Sequence, residues 1–113
     1  MHLGAPGQHI LSTAIAAGTL CLAGDLTKCE CNQEYNAGYA RCNGTPMATP
    51  HVSGVAALIL SQQPSLTYDR VKAIILKTVD PVTSLQCKTV TGGRLNAFKA
   101  VSTGGGNRSW ACP

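Results

Sequence analysis

The chain has 113 residues, 44% of them hydrophobic and only 12% charged, with nine basic against five acidic residues for a net charge of +4. Lys and Arg never occur two in a row and aromatics make up 4%, so the clustered charge and stacking surfaces of a nucleic-acid binder are absent. No apolar run approaches the roughly 18 residues of a membrane span, and Met1-His2 leads into a turn, not a basic leader, so no signal peptide is expected within the chain. The charged share is about half the ~25% usual for soluble domains. It points to a core segment of a larger domain, with a small disulfide-stapled domain as the alternative.

Residues 3–13 read as a Pro-Gly turn followed by a short strand. From Ala14 to Asn43 no period persists, and glycine and asparagine punctuate a loop-rich stretch. This stretch holds Cys21, Cys29, Cys31 and Cys42; with Cys87 and Cys112 they make an even set of six, which favours disulfides in an oxidising compartment. Zinc is disfavoured, because there is no Cys-x-x-Cys pair and Cys29-x-Cys31 is too tight for a usual site. Reduced thiols in an intracellular protein are the remaining alternative. His9, Asp25, Glu30 and Glu34 show no ligand or acid–base spacing and read as solvated loop positions, and His2 has no supporting spacing either, so no metal site is assigned.

Asn43-Gly44-Thr45-Pro46-Met47 is a polar turn that opens an apolar helix. Val52 to Leu60 carries five Val, Leu or Ile residues with small residues between them, a pattern that predicts burial on every side. Each such side chain gains roughly 1.5–3 kcal/mol on burial. Pro64 bars its extension. A second helix is predicted from an N-cap at Thr67, with Val71, Ile74, Ile75 and Val79 inward and Arg70, Lys72 and Lys77 on a solvated face. Pro81 to Thr91 reads as a loop or short hairpin. A Gly92-Gly93 turn then precedes a last helix capped by Asn96 and packed through Leu95, Phe98 and Val101. Residues 104–113 form a Gly-rich C-terminal tail, and the glycine-rich run from Thr103 to Asn107 is expected to be mobile. Asn43-Gly44-Thr45 and Asn107-Arg108-Ser109 match the N-glycosylation triplet. The first lies in the turn and precedes Pro46, and it is discounted.

The segment from Asn43 to Gly54 resembles the nucleophile segment of the subtilisin-like serine proteases, the subtilases, which reads Gly-Thr-Ser-Met-Ala-x-Pro-His-Val-x-Gly. Gly44, Thr45, Met47, Ala48, Pro50, His51, Val52 and Gly54 match, and Pro46 stands where the family has its serine. Two further segments resemble the family in the right order. Leu3-Gly4-Ala5-Pro6-Gly7 through Ser12-Thr13 is one, with His2 in place of the usual acid; Gly93-Arg94-Leu95-Asn96-Ala97 through Val101 is the other.

The resemblance implies about the last third of a catalytic domain over residues 1–103, with a Cys-rich insertion at about 20–42. It implies an α/β fold with a parallel sheet and helices on both faces, of which this chain supplies one or two strands and three helices. It also implies peptide or protein substrates for the full-length protein, while the cysteine set favours an extracellular or secretory setting. No cofactor is implied; calcium, common in the family, has no ligand set assignable here. In the family, the triad aspartate and histidine and the oxyanion asparagine lie upstream of the serine. His51 corresponds to a helix-start histidine of structural role, as do Pro50 and Gly54. Pro46 removes both the nucleophilic hydroxyl and a backbone N–H that serves as an oxyanion donor. Losing one such donor costs about 2.7–4 kcal/mol, a figure that comes from subtilisin itself. Proline is tolerated in a first helical turn, so the fold is expected to survive the substitution. The expectation is a protease-family chain without activity of its own. The alternatives are a pseudoprotease that binds peptides or an active relative, and a fragment without function.

Overall fold

The computed structural model describes residues 1–13, 31–32 and 39–102. The chain divides into two compact units, one made of Pro6–Thr49 and the other of Met1–Ala5 with Pro50–Pro113.

In the first unit, β1 (Ile10–Thr13) pairs antiparallel with β3 (Tyr39–Cys42), and β3 pairs on its other edge with β2 (Cys31–Asn32). Ile10 and Cys31 both register with Cys42, whose side chain is buried. β1 follows the Pro-Gly turn as predicted. β2 and β3 fall inside the stretch read as loop, because strands of two and four residues are too short for alternation to declare itself. Residues 14–30 and 33–38 of that stretch, with Cys21 and Cys29, and the tail with Cys112 and Asn107 lie outside the described residues.

Helix α1 (Thr45–Gln62) starts in the first unit and continues into the second. It takes Pro46 in its first turn and Pro50 further in. Pro50 has no N–H to donate to the carbonyl four residues back, and the helix continues for twelve residues past it to Gln62.

In the second unit, Val55 and Ile59 of α1 pack with Val71, Ile74 and Ile75 of α2 (Tyr68–Lys77) and Ala100 of α3 (Ala97–Ser102). Leu3, Val52, Ala56, Leu66, Leu95 and Val101 flank this core. The predicted inward positions of α2 are the buried ones, and Val79, just past its end, is the most deeply buried side chain among the described residues. Thr67 occupies the predicted cap position in extended conformation, but its hydroxyl makes no capping bond. At the other end Thr78 donates both its N–H (3.1 Å) and its hydroxyl (2.8 Å) to the Ile74 carbonyl.

Three expectations need correction. α1 is not buried on every side: Val55 and Ile59 form one inward stripe at i, i+4, while Leu58 is 52% and Leu60 38% exposed. Phe98 does not pack either, at 78% exposure; it sits two residues, about 200° around the helix, from buried Ala100. And the expected parallel sheet is not seen among the described residues. β4 (Asp80–Pro81) pairs antiparallel with β5 (Gly93–Arg94), a pairing suited to the short connection between them. Within that connection Thr83–Leu85 forms one 3₁₀ turn. Among the described residues, parallel pairing is confined to a bridge between Gly4 and Arg94. Gly4 donates to the Gly93 carbonyl (2.9 Å) and accepts from the Leu95 N–H (2.8 Å). The architecture described is mixed α/β with small antiparallel sheets.

Candidate functional site

The turn between β3 and α1 is held by the stretch that begins at Pro6. Gly44 has φ = 127°, a conformation that side-chain-bearing residues rarely adopt, and its N–H donates to the Gly7 carbonyl at 2.7 Å. A Cβ on Gly7 would lie 2.8 Å from the Gly44 carbonyl oxygen and 3.2 Å from Ala48 Cβ, so only glycine allows this approach. One residue beyond, the His9 N–H donates to Asn43 Oδ1 at 2.6 Å, with His9 itself in the left-handed region at φ = 53°. Gly44 O then accepts the Met47 N–H at 3.1 Å as the helix begins. Thr49 returns its hydroxyl to the Thr45 carbonyl at 3.0 Å.

Asn43, Thr45 and Pro46 are exposed and Met47 is half-buried. Further along α1, Pro50, His51 and Gly54 are exposed, and a Cβ built on Gly54 meets nothing within 4 Å. The structure thus brings together Gly7, His9, Asn43 and Gly44. His9 contributes its backbone, a role that side-chain chemistry does not advertise across 34 residues of sequence. Among the described residues, His, Cys, Asp and Glu do not gather in any group of three or more able to hold a metal.

The described carboxylates are Asp69, in the first turn of α2, and Asp80. Asp80 accepts from Asn96 Nδ2 (2.8 Å) and from Lys99 Nζ, with Arg94 Nη2 at 3.6 Å. The Lys99 ammonium, and after it the Asn96 amide, hold its carboxyl below the usual range, against the opposing effect of desolvation. Asn96 also caps α3 as predicted, its Oδ1 accepting the Lys99 N–H at 2.8 Å. This cluster joins β4, β5 and α3. The second unit also carries an open groove of about 380 Å³, floored by Leu3, Val52, Ala56, Val71 and Ile75. Lys72 there lies 5.8 Å from the Tyr68 ring centroid, within cation–π range.

The sequence model of the Subtilase family matches residues 1–104. The chain belongs to the subtilase family. It is 33% identical over 99 residues to Subtilisin-like protease 1 of Plasmodium berghei (strain Anka), a match covering 88% of this chain and 13% of that protein. Thermitase of Thermoactinomyces vulgaris is 44% identical over 63 residues, 56% of this chain and 22% of the enzyme. Alkaline serine exoprotease A of Vibrio alginolyticus is 50% identical over 42 residues, 37% of this chain and 8% of that protein. The matched stretch is a small part of each of these relatives.

Proposed function

We propose that this chain is the C-terminal part of a subtilisin-like serine endopeptidase domain and that it does not itself catalyse peptide-bond hydrolysis. The observation that carries this reading is Pro46, exposed in the first turn of α1, within the segment that resembles the family's nucleophile motif and where that motif has serine. Family chemistry needs a serine Oγ that attacks the peptide carbonyl and gives its proton to a histidine, forming an acyl-enzyme that water then cleaves. Proline offers no oxygen to attack with and no N–H to the oxyanion. His51 is read as a structural residue of the helix start, not as the triad base. Incubation of the purified chain with casein tests the reading: no peptide release is expected, and turnover above a blank would refute it.

A second reading, a pseudoprotease that binds peptides, is favoured by the turn itself, which keeps its Gly7–Gly44 and His9–Asn43 hydrogen bonds despite Pro46. It predicts saturable binding of a casein-derived peptide in fluorescence anisotropy. A fragment without function predicts no saturation and no cooperative melt by circular dichroism. For the cysteines, disulfides and a secretory setting are the preferred reading. Supporting it, Cys42 and Cys87 each take part in a disulfide, and one relative is an "Extracellular serine protease" of Serratia marcescens. Alkylation with iodoacetamide before and after reduction counts the thiols; six reactive thiols without reductant would overturn this assignment.

A further inference from the structure

We propose that Asn43–Gly44 is a site of spontaneous deamidation whose rate is governed by the hydrogen bonds that clasp the turn. The inference does not depend on whether the chain catalyses anything. Gly44 has no Cβ to hinder its own nitrogen, and Asn43 is exposed to water. In the reaction the Gly44 nitrogen attacks Asn43 Cγ and forms a C–N bond. The Cγ–Nδ2 bond breaks, and ammonia leaves with the proton shed by the Gly44 nitrogen. The five-membered imide is then opened by water at either carbonyl, giving aspartate or isoaspartate. Ammonia is lost, water is gained, and nothing is oxidised or reduced.

Both reacting ends are restrained in the folded turn. The Gly44 N–H is committed to the Gly7 carbonyl at 2.7 Å, and the Asn43 amide oxygen is held by the His9 N–H at 2.6 Å. The nitrogen reaches Cγ only when the Gly44–Gly7 bond opens. Gly7 is the residue that permits this bond, since a Cβ there would meet the Gly44 oxygen at 2.8 Å. Opening the clasp therefore exposes the chemistry. Aspartate at position 43 would add a negative charge beside the first turn of α1. Isoaspartate would lengthen the backbone between β3 and α1.

Peptide mapping by mass spectrometry tests this on full-length chain made without glycosylation and held in mildly alkaline buffer. The comparison is a synthetic peptide of residues 39–49. The chain is expected to convert Asn43 about tenfold more slowly than the peptide, the factor that corresponds to about 1.4 kcal/mol. Gly7→Ala is expected to raise the rate towards that of the peptide. Gly93→Ala, which loosens the other unit, should leave the rate unchanged and so separates clasp opening from general unfolding. Equal rates in chain and peptide would overturn the proposal. So would a Gly7→Ala chain no faster than the parent, or equal acceleration by Gly7→Ala and Gly93→Ala.

Discussion

A Cβ atom on Gly93 would lie 2.5 Å from Val79 Cγ2 and 2.7 Å from the Asp80 carbonyl oxygen, with Val79 the most deeply buried side chain described. Neither neighbour yields easily, one being core and the other backbone. Gly93→Ala is therefore expected to destabilise by about 1–3 kcal/mol in a chemical denaturation series. Asn96→Ala removes both the α3 cap and the amide that holds Asp80; a loss of about 1 kcal/mol or more is expected in the same assay. At this scale the sequence was partly legible. Asn96 announced itself as a cap by residue type and position, and Pro46 by falling out of a known pattern. Gly7 and His9 were legible only as members of a resembling segment, because the bonds they make cross 34 to 37 residues of chain.

The elements differ in how openly they were written. α2 declared itself through Val71, Ile74 and Ile75 at helical spacing, and those are the residues that are buried. α1 is apolar on too many sides for its pattern to say which face turns inward, and only the partners fix Val55 and Ile59 as the stripe. β4 and β5, at two residues each, carry no periodicity at all. What joins them to α3 is the Asp80 cluster, and its electrostatics have a pH signature. The Asp80 carboxyl is held below its usual value, chiefly by Lys99, so its contribution to stability is present above the unfolded carboxylate range of about pH 4. That contribution is lost as pH falls through the lower, folded value. Thermal melts of the chain should show an acid-side loss of Tm that is smaller in Asp80→Asn, which should also melt lower at neutral pH. Parallel pH profiles for the two proteins would contradict this.

Across the whole chain, family membership was readable from three short segments in order, since their residue types are set by tight backbone geometry. The sheet was not readable, because the pairing partners of a strand are chosen by chain outside it. The exposed face of α1 makes the same point energetically. Leu58→Lys is expected to change the stability of this chain by no more than about 0.5 kcal/mol, as for an ordinary surface site. Ile59→Ala should cost about 2–5 kcal/mol. A large cost at Leu58 would mean that its face is covered in solution.

The claim on which the functional reading turns is that Pro46 leaves this subtilase chain without a nucleophile. Intact-mass spectrometry after incubation with a fluorophosphonate, which tags an activated serine, tests it most directly. The predicted result is an unchanged mass for the purified chain. A single stoichiometric adduct mapping to the chain would contradict the account.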